Sequence, residues 1–162
     1  MRELDDNELA YHLATGIGDI VRGTRAGGLL YGRSLARVAN AVAQDWTDEV
    51  LSVHRPDDGT LSEGVADDLS RLDKSRVWII DVIDGTKEFS TGRSDWSVHV
   101  ALVEDGVPLL ASVGLPDARR VFRSDQVDHV NGPSSGKIVI SRNNPPEGAR
   151  EVADALGLTV RP

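Results

Sequence analysis

The sequence predicts an α+β fold, in which N-terminal helices are followed by an antiparallel sheet and then by an incomplete second α/β domain. Three observations support this prediction. Apolar residues recur with helical spacing in the first third of the chain, short β-branched runs follow, and one further strand and helix come last. Helices followed by a block of strands are typical of α+β domains.

Two amphipathic helices are predicted at the start of the chain. Residues 5–26 and a segment from about residue 33 to residue 54 both carry apolar side chains every three or four positions. Asp5 and Glu8 have the spacing of a capping box, which predicts where the first helix begins. Residues 55–59, Arg-Pro-Asp-Asp-Gly, predict a turn after the second helix.

The middle of the chain predicts a sheet. A short strand is predicted at residues 60–63, and a loop or short helix at residues 64–74. Residues 77–81 form a dense β-branched run, which is typical of a buried strand. Three further apolar segments are separated by turn sequences and predict an antiparallel meander. These segments are residues 97–103, 107–113 and 120–123.

The sequence predicts two domains. Residues 1–132 are expected to form an N-terminal α+β domain, and residues 137–162 the start of a truncated second α/β domain. The segment between them, around residues 131–136, is rich in Gly, Ser and Pro and predicts a linker. We expect the strand and helix after it to lack part of their sheet. Their apolar face would then be exposed and would favour self-association.

Composition limits the partners of the protein. The net charge is −8 and there is no basic run, which argues against nucleic acid as a partner. The absence of cysteine excludes disulfides and thiolate metal sites. The first eight residues are acidic, unlike a signal peptide, and no apolar stretch is long enough to cross a bilayer. We therefore expect a cytoplasmic protein with no membrane partner.

A candidate metal site follows the predicted buried strand. Asp81 and Asp84 are separated by two residues, and the carbonyl of Ile83 lies between them. Carboxylates and carbonyls are the hard oxygen ligands that Mg²⁺ prefers. Glu63, at the end of the preceding short strand, is a natural third carboxylate. The alternative is an ordinary turn, in which aspartate caps the chain and glycine supplies a positive φ.

The two residues that follow suit phosphate binding. Gly85 lets the backbone approach a ligand closely, and the hydroxyl of Thr86 could position an attacking water. Residues 87–89 are expected to open a helix, whose free N–H groups would favour a phosphate. An acidic protein that binds phosphate needs a local positive centre, and divalent cations would provide one.

The longest motif resembles a known family. Residues 76–89, Arg-Val-Trp-Ile-Ile-Asp-Val-Ile-Asp-Gly-Thr-Lys-Glu-Phe, are similar to the Trp-x-x-Asp-Pro-x-Asp-Gly-Thr signature of the inositol-monophosphatase-like phosphatases. Residues 61–63 are similar to the family's Ser-Glu-Glu element, and residues 95–116 to the hairpin that follows. Residues 87–89, Lys-Glu-Phe, resemble the 3′(2′),5′-bisphosphate nucleotidase branch of the family.

The resemblance implies a layered α/β sandwich and a phosphomonoesterase that uses two or three Mg²⁺ ions. Its implied substrate is a small phosphorylated molecule, adenosine 3′,5′-bisphosphate, which would be hydrolysed to AMP and phosphate. The implied metal ligands are Glu63, Asp81, the carbonyl of Ile83, and Asp84. The implied phosphate-binding residues are Gly85 and Thr86, and the implied catalytic residues are Thr86 and Asp84.

Departures from the family pattern support alternative hypotheses. Val82 stands in place of the signature proline, Gly64 in place of a second acid, and Ala36 in place of an acid that helps to activate water. No Trp-Asp motif follows in the second domain. A truncated member that is weakly active or inactive and retains only metal or phosphate binding, a regulatory binding domain, and an inositol monophosphatase all stay open as alternatives.

Histidine and tryptophan are expected to play structural parts. His12, His54, His99 and His129 show no metal-ligand spacing. Trp78 is expected to support the metal loop from behind.

Overall fold

The structure, a computed structural model, describes residues 4–67, 69–127, 135–141 and 145–161. The chain divides into two compact units, Met1–Val127 and Asp128–Pro162. Most of the predicted linker at residues 131–136, and His129, lie outside the described residues.

The two predicted helices are confirmed. Helix α1 spans Asp6–Ala26 and helix α2 spans Gly32–His54. The predicted start of α1 is correct, since the carboxylate of Asp5 accepts a 2.8 Å hydrogen bond from the backbone N–H of Glu8. Leu9, Leu13, Ile17 and Val21 of α1 are fully buried, because this face packs against the sheet and against α2.

A five-stranded mixed sheet forms the centre of the first unit. Its strands, in both chain and spatial order, are β1 (Gly59–Ser62), β2 (Arg76–Asp84), β3 (Ser97–Glu104), β4 (Val107–Leu115) and β5 (Arg120–Arg123). Helix α3, Thr86–Ser90, lies between β2 and β3.

The expected antiparallel sheet is confirmed from β2 to β5. It is wrong for β1, which pairs with β2 in parallel. The segment between β1 and β2 returns the chain to the same end of the sheet, and a parallel pair requires such a crossover.

The core lies between the sheet and the helices. Alternate residues of β3 (Val98, Val100 and Leu102) are buried, and α1 packs on β3 and β4. The other face is more open, as Ile79 of β2 is 40% exposed. The helices therefore cover one face of the sheet.

The second unit contains a parallel pair of strands with a helix between them. Strand β6 (Lys137–Val139) pairs with β7 (Thr159–Arg161), and helix α4 spans Ala149–Ala155. The predicted strand and helix are confirmed in type. Val139 is 80% exposed, as expected for an apolar surface in this unit. No helix in the described parts of the chain is both long and apolar enough to span a bilayer.

An ion-pair cluster ties α1 to α2 and β2. Asp6 accepts hydrogen bonds from Arg55 (2.8 Å) and Arg76 (2.8 Å). Arg76 also reaches Asp58, which accepts a 2.9 Å bond from the indole N–H of Trp78. Burial raises the pKa of Asp6, but the hydrogen bonds and charges of the two arginines outweigh it, so that the pKa lies below its ordinary value.

We predict that this cluster makes the free energy of unfolding depend on pH in the acid range. Because the folded-state pKa of Asp6 is depressed, its stabilisation is complete above the pKa of the unfolded chain, about 4, and is lost as pH falls through the lower folded value. Asp6→Asn should lower the free energy of unfolding by about 1–3 kcal/mol at pH 7. The loss should shrink towards pH 3.

Urea unfolding at several pH values measures this effect. Asp19→Asn, at an exposed position of α1, is the matched control and should change little. Equal losses for Asp6→Asn at pH 3 and pH 7 would contradict the prediction.

Candidate metal and phosphate site

The parallel pairing of β1 with β2 brings two of the predicted ligands together. Ser62 pairs with Ile80, and the next residue along each strand is Glu63 and Asp81. The N–H of Glu63 donates a 3.2 Å bond to the carbonyl of Ile80, so the ladder continues past Ser62. Matched residues of neighbouring parallel strands lie about 4.8 Å apart and point to the same face. The register therefore places the two carboxylates side by side.

Contact between these carboxylates changes the acidity of Asp81. Burial raises its pKa to about 6, together with the hydrogen bond to Glu63 and the negative charges of Glu63 and Asp84. The N–H of Ile83 donates a 3.0 Å hydrogen bond to the carboxylate of Asp81, and this hydrogen bond lowers the pKa. Like-charged carboxylates in contact repel each other unless a proton or a cation lies between them.

A β-bulge brings Asp84 to the same face as Asp81. Side chains of a regular strand alternate between the two faces of the sheet. Residues i and i+3, such as Asp81 and Asp84, would therefore point to opposite faces. Asp81 pairs with His99 and Asp84 pairs with Ser97, so β2 carries one residue more than β3 over this stretch. Val82 and Ile83 are consequently both buried. The extra residue reverses the alternation and puts both aspartates on one face.

Asp84 has two neighbours that the sequence did not indicate. Ser97 donates a 3.2 Å hydrogen bond to its carboxylate, and Nε2 of His99 lies 3.7 Å from the same oxygen. Ser97 and His99 contact each other at 3.1 Å. The expectation that His99 is a purely structural residue overlooked this position, since only the strand register places it opposite Asp81 and beside Asp84.

The loop after β2 presents the hydroxyl of Thr86 and the backbone of Gly85, which has no side chain. The side chain of Ile83 is buried, and its carbonyl accepts a 3.0 Å bond from the hydroxyl of Thr86. That oxygen has a second lone pair available for another partner. Gly85 has a φ of +86°, and the predicted helix after it is the short α3 of five residues. A helix of five residues has only a small macrodipole. A ligand at this loop would therefore interact mainly with the N–H groups and the hydroxyl of the loop itself.

A polar and aromatic cluster supports this loop from behind. Gly85 packs against Trp96, whose ring meets that of Phe89 edge-on at 5.0 Å. The guanidinium of Arg25 lies 5.3 Å from the centre of the Phe89 ring. It also donates two hydrogen bonds, of 2.6 and 2.7 Å, to the carboxylate of Asp117. Asp117 also accepts a 3.0 Å bond from the indole N–H of Trp96.

The expected supporting role of Trp78 is therefore wrong. Its indole N–H donates to Asp58, in the cluster at the other end of β2, and Trp96 is the tryptophan that contacts the loop. The two residues differ because Trp78 lies near the start of β2, several residues before the loop, whereas Trp96 directly precedes β3.

The predicted site residues are thus brought together in part. Glu63 contacts Asp81, Asp84 shares their face beside Ser97 and His99, and Thr86 is bonded to Ile83. In the described stretches of the chain, no three carboxylate or histidine side chains surround a single point as ligands of one ion.

The donor set fits Mg²⁺ in its chemistry. The carboxylates of Glu63, Asp81 and Asp84 and the carbonyl of Ile83 are oxygen donors of the type that Mg²⁺ takes. Burial and the contact with Glu63 raise the pKa of Asp81, and a cation would relieve the repulsion between the two carboxylates.

We predict that Gly85→Ala destabilises the loop more than Gly92→Ala does. Both glycines have a positive φ, so each substitution should cost about 1 kcal/mol from the backbone alone. A β-carbon at Gly85 would lie only 3.3 Å from Trp96, whereas at Gly92 it would meet no described atom within 4 Å. Chemical unfolding measures the difference. Equal losses in the two variants would show that Trp96 does not constrain the loop.

Comparisons with known proteins found similar sequences and structures. A model of the inositol monophosphatase family matches residues 7–155. A 3'-phosphoadenosine 5'-phosphate phosphatase of Mycobacterium leprae is 39% identical over 172 aligned positions, which cover 96% of this chain and 64% of the relative. The protein of the same name in Mycobacterium bovis is 41% identical over 119 positions, which cover 67% of this chain and 45% of that one.

A solved structure shows the same fold. CysQ from Bacteroides thetaiotaomicron matches with a TM-score of 0.77 at 19% identity, over 96% of this chain and 70% of that chain. The chain spans about half to two thirds of the length of the curated relatives it matches. Because the family match extends over most of both compact units, the chain belongs to the inositol monophosphatase family.

Proposed function

We propose that this protein is a Mg²⁺-dependent phosphomonoesterase that hydrolyses adenosine 3′,5′-bisphosphate to AMP and phosphate. The observation that carries the proposal is the contact between Glu63 and Asp81, with Asp84 on the same face and Thr86 at the end of the same strand. The names of the mycobacterial relatives support the choice of a phosphoadenosine substrate.

Each residue of the site has a proposed part in metal binding. Glu63, Asp81, Asp84 and the carbonyl of Ile83 would hold Mg²⁺. When bound, the metal supplies positive charge for the phosphate oxygens and lowers the pKa of a coordinated water. Ser97 holds the carboxylate of Asp84 through its 3.2 Å bond and so limits the orientations of that ligand.

The loop residues are proposed to bind phosphate and to orient water. Gly85 has no side chain, so its backbone can approach a phosphate closely. The hydroxyl of Thr86 donates to the carbonyl of Ile83, which leaves the lone pairs of the hydroxyl oxygen free to accept a hydrogen bond from the attacking water. In the reaction, the water oxygen forms a bond to phosphorus and the bond from phosphorus to the ribose oxygen breaks. The ribose oxygen takes up the equivalent of the proton that the water gives up, and it leaves as a hydroxyl.

The remaining sequence-based expectations stay proposals. We propose a small phosphorylated molecule as the partner, rather than nucleic acid or a membrane. We also propose a cytoplasmic location and self-association through the second unit, where Val139 and Leu156 are exposed.

Phosphate release tests the proposed activity. We predict Mg²⁺-dependent release from adenosine 3′,5′-bisphosphate, slower release from myo-inositol 1-phosphate, and a loss of about 100-fold or more in Asp84→Asn. Asp19→Asn, far along α1, is the matched control and should keep full activity.

Two outcomes would contradict this proposal. Undiminished turnover in Asp84→Asn would remove Asp84 from the site. Thermal stabilisation by Mg²⁺ without any phosphate release would support the alternative of a binding domain that lacks turnover.

A further inference from the structure

A histidine and an aspartate lie side by side where strands β2 and β3 meet at the candidate site. Nε2 of His99 lies 3.7 Å from Oδ2 of Asp84, and the hydroxyl of Ser97 lies within 3.2 Å of both atoms. Asp84 pairs with Ser97, and His99 follows two residues later on the same face of β3. Backbone pairing therefore sets the position of the histidine beside the aspartate.

Both side chains of this pair are open to solvent. The side chain of His99 is 44% exposed and that of Asp84 is 56% exposed. An ion in solution can therefore reach the pair directly, without a change in the packing of the sheet.

The distance between the two side chains suits two ligands of one metal ion. Zn²⁺ binds a histidine nitrogen at about 2.0–2.1 Å and a carboxylate oxygen at about 2.0–2.2 Å. Two such ligands lie about 3.4 Å apart when the angle at the ion is tetrahedral. The separation of 3.7 Å between Nε2 of His99 and Oδ2 of Asp84 differs from that value by a few tenths of an ångström. A small rotation of either side chain makes up the difference.

The nitrogen donor decides which ions this pair favours. Glu63, Asp81 and the carbonyl of Ile83 offer oxygen atoms, which are the ligands that Mg²⁺ takes. Zn²⁺ binds imidazole and carboxylate together, and sites with mixed nitrogen and oxygen donors hold it more tightly than ions early in the first transition series. The hydrogen bond from Ser97 limits the orientations of the Asp84 carboxylate, as an outer-shell partner of a metal ligand does.

We propose that His99 and Asp84 bind Zn²⁺ beside the Mg²⁺ site, with water completing the coordination of the ion. Zn²⁺ binding goes beyond the proposed function and does not depend on it. One consequence does rest on the proposed function, because it takes the role of Asp84 as a Mg²⁺ ligand from it. Zn²⁺ and Mg²⁺ compete for the carboxylate of Asp84, so Zn²⁺ inhibits the Mg²⁺-dependent release of phosphate.

Calorimetric titration with Zn²⁺ and with Mg²⁺, in the absence of substrate, tests the site. We expect His99→Gln to weaken Zn²⁺ binding by about tenfold or more, because it removes the nitrogen donor. Mg²⁺ binding should change by less than about twofold, because Mg²⁺ is held by oxygen ligands. Asp84→Asn should weaken the binding of both ions.

His12→Gln is the matched control. His12 is an exposed histidine of α1 whose ring meets that of Tyr11, and its replacement should leave both affinities unchanged. The NMR signals of the His99 ring, assigned by their absence from the spectrum of His99→Gln, should shift more strongly with Zn²⁺ than with Mg²⁺. Thermal unfolding checks that each variant is folded.

Binding and activity are read separately. Zn²⁺ binding that depends on His99 supports the site, even if the chain releases no phosphate. The site is overturned by unchanged Zn²⁺ affinity in His99→Gln, by equal weakening of Zn²⁺ and Mg²⁺ in that variant, or by no Zn²⁺ binding at millimolar concentration. In the phosphate-release assay with Mg²⁺, His99→Gln should need about tenfold more Zn²⁺ for half inhibition. Zn²⁺ binding that leaves phosphate release undiminished overturns the competition.

Discussion

The candidate site depends on the contact between Glu63 and Asp81. This contact is set by backbone pairing, because the parallel register of β1 and β2 leaves the two residues side by side where the strands end. Two carboxylates so placed repel each other, and burial of Asp81 increases the cost. The fold therefore holds an electrostatically unfavourable pair in place, which is expected when a bound cation makes up the difference.

The bulge in β2 determines the face of the sheet on which Asp81 and Asp84 lie. In a regular strand, a separation of three positions would direct Asp81 and Asp84 to opposite faces of the sheet. With the bulge, Asp81 lies opposite His99 and Asp84 opposite Ser97, while Val82 and Ile83 between them are buried. The loop that follows is held through Trp96 by the Arg25–Asp117 cluster, so α1 and the turn after β4 stabilise the position of the proposed phosphate-binding residues.

Local features of the structure could be predicted from the sequence, and long-range ones could not. The helices follow from apolar periodicity and the Asp5 cap, and the acidic motif from its resemblance to a family signature. The parallel pairing of β1 could not be predicted, since it depends on how the chain crosses between two strands. The bulge and the neighbours of Asp84 likewise depend on which residues of β3 face β2, and the role of Trp96 depends on packing.

Thermal unfolding of Glu63→Gln, with and without Mg²⁺ at pH 7.5, tests the central claim most directly. If Glu63 and Asp81 repel each other and share a cation, the variant should be at least as stable as the unmodified chain in EDTA. It should then lose the stabilisation, of several degrees, that Mg²⁺ gives the unmodified chain. A variant that is less stable in EDTA but is stabilised by Mg²⁺ as strongly as the unmodified chain would contradict the account.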